Sequence, residues 1–222
     1  PMVRLGEVAE VSAGDGAPQE SECFAGGTIP FFRTSDVGAV HIATDLKESR
    51  DKLTEKVVKT RKLTLWPAET ILFPKSGAST FLNHRVMIGC PGVVSSHLAT
   101  IVANATKIAP RFLFHLLCRI DARSLTEDQN YPSLRLGDLE RIQIPLPPLS
   151  VQEEIVAELE GYRKVIEGAR ELIARMEGKI KAKLAEVWGE EPSAPSPAGA
   201  PSDSPDPPDP SDPPDPPWKA RP

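Results

Sequence analysis

Residues 139–155 read Leu139-Glu140-Arg141-Ile142-Gln143-Ile144-Pro145-Leu146-Pro147-Pro148-Leu149-Ser150-Val151-Gln152-Glu153-Glu154-Ile155. Arg141 to Leu146 alternates polar and apolar residues, the period of a strand. Pro147 and Pro148 close that strand, and neither can sit inside a following helix, because proline lacks the N–H and clashes with the preceding turn. Ser150-Val151-Gln152-Glu153 has the form of a capping box, in which the serine hydroxyl and the Glu153 carboxylate would each satisfy an orphan N–H. The segment therefore predicts a strand that runs directly into a capped helix.

Downstream, apolar residues fall at Ile155, Leu159, Tyr162, Ile166, Ala169, Ile173, Met176 and Ile180, in alternating steps of four and three. A 3.5-residue seam held for more than three heptads predicts a coiled-coil helix rather than an ordinary surface helix. Leu184, Val187 and Trp188 extend it less regularly, and the other faces mix acids with bases. From Val151 to Trp188 the helix would be roughly 57 Å long. Such a helix cannot bury its own seam, so a partner helix is expected, from another copy or another subunit.

Upstream, Thr28–Arg33, Thr70–Phe73, Arg85–Ile88 and His97–Val102 read as strands. Pro110 opens a helix with Phe112, Leu113, Leu116, Leu117 and Ile120 spaced three and four apart. Strands and helices do not alternate regularly, so the fold class expected is α+β, with a mixed sheet and short helices. Three segments follow: a globular domain at 1–149, a long coiled-coil spacer or dimerisation helix at 150–188, and a Pro-rich acidic tail at 189–222. Thirteen of the 24 prolines lie in that tail, which is expected to be disordered and partly polyproline II.

The net charge of −5 belongs to the tail as well, where seven acids face two bases; the other 188 residues hold 24 of each. The acidic balance is thus no argument against nucleic-acid binding by the folded part, although a non-specific binder would show a basic excess. Three cysteines, Cys23, Cys90 and Cys118, form no C-x-x-C pair. That argues against a disulfide scaffold or zinc site and for a reducing cytoplasm. No apolar run reaches the roughly 20 residues of a membrane span, and the N-terminal residues lack a signal-peptide core. Asp215-Pro216-Pro217-Trp218 matches a motif of adenine-N6 methyltransferases, but it closes a D-P-P repeat with no strand before it and no cofactor fold. Catalytic and metal-ligand arrangements do not stand out: no site is expected to be catalytic or to hold a metal, and His97 reads as a satisfied interior histidine.

The boundary segment Ile144-Pro145-Leu146-Pro147-Pro148-Leu149-x-x-Gln152 resembles the junction of recognition domain and spacer helix in the specificity subunits of type I restriction–modification systems. Looser likenesses lie at Arg4–Val8, Gly27–Val37, Ile71–Ala78 and Tyr131–Leu139, so the resemblance covers residues 4 to about 185. It implies sequence-specific recognition of double-stranded DNA at a bipartite site, without catalysis by this chain. It implies methyltransferase subunits and a restriction/translocase subunit as partners, with S-adenosylmethionine and ATP held there and no cofactor here. The family's usual subunit has two recognition domains and two spacer helices. One of each implies a homodimer, or pairing with a second recognition half. The rival readings are a recognition domain detached from a single-chain restriction–methylation enzyme, a stand-alone DNA methyltransferase or nuclease, and a purely structural scaffold.

DNA contact is expected in three places. Arg50–Lys62 is locally basic, with Lys52, Lys56, Lys59, Arg61 and Lys62 placed for phosphates, which Lys and Arg bind with counterion release. Lys75-Ser76-Gly77 follows a strand, and its small residues allow close backbone approach. Asn130, Tyr131 and Ser133 could read base edges, flanked by Arg135; Arg33 completes the set. Each stretch has a plain alternative, namely a solvated charged face, a tight connection or a loop, and for Arg33 a structural pair with Asp36.

Overall fold

The computed structural model describes residues 1–40, 42–126 and 133–188. Asn130, Tyr131 and the Pro/Asp tail lie outside the described residues.

The chain opens with β1 (Met2–Arg4) and β2 (Ala9–Ala13), followed by β3 (Ile29–Phe32), α1 (Thr34–Ala39), β4 (Ala43–Leu46), β5 (Asp51–Leu53) and α2 (Glu55–Thr60). Next come β6 (Ile71–Pro74), β7 (Val86–Ile88), β8 (Val93–Val94), β9 (Leu98–Ala103) and α3 (Pro110–Cys118). The last elements are α4 (Leu136–Glu140), β10 (Gln143–Pro145) and α5 (Leu149–Trp188). The fold is α+β, as the irregular order of elements predicts.

A five-stranded sheet, ordered β2-β9-β6-β7-β4, forms the centre, with antiparallel pairs throughout except the parallel β4–β7 edge. Every residue of β6 (Ile-Leu-Phe-Pro) is buried, as a central strand covered on both faces must be. One face carries Ile71, Phe73 and Ile101 against Phe112, Leu113 and Leu117 of α3. The other carries Leu72, Val86 and Ile88 against Phe32, Val37 and Trp66. A three-stranded sheet, β5-β3-β8, has its own small core of Cys23, Phe31, Leu53, Val58 and Val93. Arg85 is fully buried beside β7, with its guanidinium 3.2 Å from the centre of the Phe73 ring. Nη1 of Arg85 donates to the His84 carbonyl at 2.6 Å. Burial lowers its pKa to about 9, which leaves it charged at neutral pH.

The decisive segment pairs with the start of the chain. β10 lies antiparallel to β1, with Val3 opposite Ile144. The Leu5 N–H donates to the Ile142 carbonyl at 2.9 Å, and the Leu146 N–H to the Pro1 carbonyl at 2.9 Å. The prolines act as expected: β10 ends at Pro145 and α5 starts after Pro148.

The start of α5 differs from the expected capping box. The helix begins at Leu149, so Ser150 lies inside it, and the Pro148 carbonyl accepts from Val151 and Gln152. Gln152, not Ser150 or Glu153, carries the polar work of this end. It is fully buried, its Oε1 accepts from the Ala109 N–H at 2.8 Å, and its Nε2 donates to the Pro147 carbonyl at 2.8 Å and the Lys107 carbonyl at 3.3 Å. One side chain thus ties the first turn of α5 to the start of α3 and to the proline turn. Arg111 on α3 pairs with Glu160, and Ile155 and Val156 pack on the main core.

Two compact units divide the chain, Pro1–Val165 and Ile166–Pro222. The first takes in the opening turns of α5. In the second, Ile166, Ile173, Met176 and Ile180 are 43–61% exposed, and Leu184, Val187 and Trp188 are exposed too. The helix has three glycines, Gly161, Gly168 and Gly178, none with a neighbour within 4 Å of a Cβ position. Each weakens an isolated helix by roughly 0.5–1 kcal/mol relative to alanine.

His115 on α3 is held below the ordinary imidazole value of 6.5, chiefly by burial, with Glu160 opposing. Its Nε2 has no hydrogen-bond partner among the described residues. His84 is lowered by burial too. A base with a depressed folded pKa binds its proton more readily in the unfolded chain, so acid favours unfolding. The neutral histidines therefore leave stability intact above pH 6.5 and erode it as pH falls below that value. Thermal melts are expected to show a lower Tm at pH 5.5 than at 7.5, with a smaller difference in His115→Gln. An equal drop in both proteins would remove His115 as a source.

Candidate nucleic-acid interface

The sequence-predicted residues fall into two groups, and the structure draws one of them together across the chain. Where β6 ends, the Lys75 N–H donates to the His97 carbonyl at 3.0 Å, and the Lys75 carbonyl accepts from Leu134 at 2.7 Å. Ser76 forms an isolated antiparallel bridge with Ser133. The Ser76 hydroxyl lies 2.8 Å from Nδ1 of His97. Gly77 has φ +75°, a left-handed conformation that an L side chain rarely adopts, so glycine is required by conformation although open space surrounds it. Lys75, Ser76, Gly77, Ser133 and Arg135, apart in sequence, thus form one rim at the end of the central sheet. His97 joins them: it is exposed just ahead of β9, not interior as its flanking apolar residues suggest.

The segment after Gly77 is pinned from beneath. Asn83, itself at φ +54°, accepts from the Ala122 N–H at 2.8 Å and donates to the Asp121 carboxylate at 3.0 Å. That bond, with a backbone bond from Arg123, holds the Asp121 carboxyl below the usual range. The Arg123 guanidinium sits 5.5 Å from the centre of the Phe81 ring. Leu82 is 59% exposed beside it. Sequence reading misses this lobe, because its ties join residues nearly 40 positions apart and no local motif marks them. The rim therefore rests on fixed backbone, the condition under which a loop can hold hydrogen-bonding groups in register with a ligand.

The second group lies on the small sheet and α2, and most of its charge is matched. Arg33 Nε donates to Asp51 at 2.6 Å, and its guanidinium lies 4.8 Å from the Phe31 ring centre and 5.5 Å from that of Phe24. Asp36 takes the backbone N–H groups of Arg33 and Arg50, so the Arg33 side chain pairs with Asp51 instead of Asp36. Lys52 on β5 pairs with Glu48 at 2.9 Å, and Lys59 pairs with Glu55 one turn back on α2 at 3.6 Å. Arg61 pairs with Glu20 at 2.7 Å; the shared hydrogen bond lowers the Glu20 carboxyl and raises the guanidinium. Thr54 caps α2 by accepting from the Val57 N–H at 3.3 Å. Lys56 and Lys62 on this face are exposed and make no ion pair among the described residues, Lys62 in a left-handed turn after α2.

Among the described residues, no group of three or more His, Cys, Asp or Glu side chains is placed to hold a metal ion. Cys23, Cys90 and Cys118 are free thiols, and burial pushes Cys118 up to about 11. Among the described residues, no helix is long and apolar enough to cross a membrane.

The model of the type I restriction modification DNA specificity domain matches residues 1–177. The type I restriction enzyme MjaIX specificity subunit of Methanocaldococcus jannaschii is 27% identical over 198 residues, 84% of this chain and 43% of that protein. The HsdS subunit of Thermoanaerobacter tengcongensis superposes with a TM-score of 0.56 at 21% identity, over 76% of this chain and 38% of that one. A chain from a structural study of complex assembly and conformational transition in a type I R-M system gives 0.65 at 20% identity, over 82% and 43%. The chain spans less than half the length of the curated relatives it matches. With four-fifths of its sequence inside the family model and the same α+β fold in the solved neighbours, the chain belongs to the type I restriction modification DNA specificity domain family.

Proposed function

We propose that this chain is the DNA-reading half of a type I specificity subunit, with no catalysis of its own. Residues 1–149 read double-stranded DNA, residues 150–188 form the spacer and dimerisation helix, and the Pro/Asp tail at 189–222 has no role assigned. Two copies, or one copy and a second recognition half, pair through α5 and read the two parts of a bipartite site. Methyltransferase subunits holding S-adenosylmethionine, and a restriction/translocase subunit using ATP, assemble on that frame in the cytoplasm.

The observation that carries this reading is the exposed apolar stripe of α5 on a chain of this family. At 40 residues the helix is about 60 Å long, against roughly 34 Å for one turn of DNA. Paired helices of that length hold two readers at fixed separation and rotational phase. The rim of Lys75, Ser76, Gly77, Ser133 and Arg135 supplies cations and hydroxyls at the end of the central sheet, with Ser133 and Arg135 exposed and Lys75 and Ser76 half-buried. Asn130 and Tyr131 adjoin it in sequence. Lys56 and Lys62 add charge free to meet phosphates, whereas Arg33, Lys52, Lys59 and Arg61 first answer their own acids.

The test is DNA affinity of the complex assembled with its methyltransferase subunit, measured against salt. Lys75→Ala and Arg135→Ala are expected to weaken binding and to lower the slope of log K against log salt by about one each, as for loss of a phosphate contact. Unchanged affinity and slope in both variants would move the interface elsewhere on the domain.

A further inference from the structure

We infer that the groove at the root of α5 is the seat of Trp188 from a second copy of this chain. The inference rests on the pairing of two α5 helices proposed above. The groove has a volume of about 780 Å³ and is almost wholly apolar, walled by Phe112, Leu146, Pro147, Pro148, Ile155 and Leu159. Ile155 and Leu159 are the first two seam positions, so the groove opens on the side of α5 that pairing would cover.

The seam itself selects the orientation. Its steps of four and three read the same in both directions, so an antiparallel mate matches seam to seam: Ile155 with Ile180, Leu159 with Met176, Tyr162 with Ile173, and Ile166 with Ala169. A parallel mate would also align seam with seam. It would, however, put both globular units at the same end, where Ile155, Val156 and Glu160 already pack on their own core and α3. The antiparallel arrangement separates the two units.

Extending that pairing outward sets Leu184 against Val151, Val187 against Pro148 and Trp188 against Pro147. Leu184 and Trp188, each one residue off the heptad, are 46% and 69% exposed, and the in-phase Val187 is 73% exposed. Val187 and Trp188 would then face the proline-lined groove, while Leu184 meets the first turn of the mate's α5. An indole on proline rings in a desolvated groove is the type of aromatic anchor that dominates interface energetics.

The experiment is equilibrium sedimentation of the full chain, with Trp188→Ala, Trp188→Phe and the seam variant I166D/I173D beside it. Trp188→Ala is expected to weaken self-association at least tenfold, and Trp188→Phe to retain most of it. In a W66F/W218F background, Trp188 emission should shift to the blue with concentration, in step with the dimer. If Trp188→Ala associates as tightly as the parent while the seam variant is monomeric, the dimer stands and the groove assignment falls. If the parent is monomeric at every concentration, the homodimer reading falls with it. Burial of Trp188 only on addition of the methyltransferase subunit would overturn the second copy as occupant.

Discussion

Replacing Gln152 by leucine is expected to destabilise the Pro1–Val165 unit by about 3 kcal/mol, since each buried polar group left unsatisfied costs roughly 1–3 kcal/mol. The variant removes an acceptor from the Ala109 N–H and a donor from the Pro147 and Lys107 carbonyls, around a side chain that is itself fully buried. Leucine is of similar bulk, so the loss would be one of hydrogen bonding and not of packing. Gln152→Glu should be no better, because a carboxylate oxygen would then face two carbonyl oxygens. Urea unfolding with an unchanged m-value and a lowered midpoint is the expected record. A midpoint shift under 1 kcal/mol in both variants would mean that water or a shifted backbone replaces the amide.

The seam gives the second large effect. Ile166 and Ile173 are 52% and 57% exposed and lie in the unit that begins at Ile166. If assembly covers them, each isoleucine contributes about 1.5–3 kcal/mol, and an aspartate in its place adds a desolvation penalty. I166D/I173D is therefore expected to reduce assembly, with itself or with the methyltransferase subunit, by at least a hundredfold. The urea midpoint of the globular unit should stay where it was. Native mass measurement of the complex reads the first outcome. Retained assembly would show that another face of the chain holds the partner.

The elements legible in the sequence were those with a strong local period. β3, β6, β7 and β9 fall within a residue or so of their predicted places, because Val, Ile, Leu and Phe run together there between turn residues. α3 begins at Pro110 as predicted, since proline at the first helical position needs no partner for its missing N–H. The two- and three-residue strands β1, β5 and β8 are too short to show any period; β5 and β8 exist because the longer β3 pairs with them, and β1 because β10 does. Gln152 was part of the recognised junction, yet its task was hidden: its partners at Lys107 and Ala109 are more than 40 residues away. The serine and glutamate around it had the better local pattern for a cap, and tertiary bonding outweighed it.

The candidate interface was legible as three stretches and not as a surface. The strand-end loop and the Ser133 segment are each visible in the sequence, but only the Ser76–Ser133 bridge puts them on one rim. His97 has the apolar neighbours of an interior residue but precedes β9 instead of lying within it, which leaves it exposed. The basic run at 50–62 counted cations without the acids that neutralise them, Glu20 above all, which sits 41 residues from Arg61.

The β1–β10 pairing makes the globular unit a noose drawn shut at its neck. Met2–Arg4 and Gln143–Pro145 are neighbouring strands, so all loops of the candidate rim hang within a closed circuit. Insertions or exchanges in those loops leave the knot unmoved, and with it the start of α5 that follows β10. If the rim contacts DNA as proposed, a lineage can rewrite those contacts without disturbing the strands that close the neck.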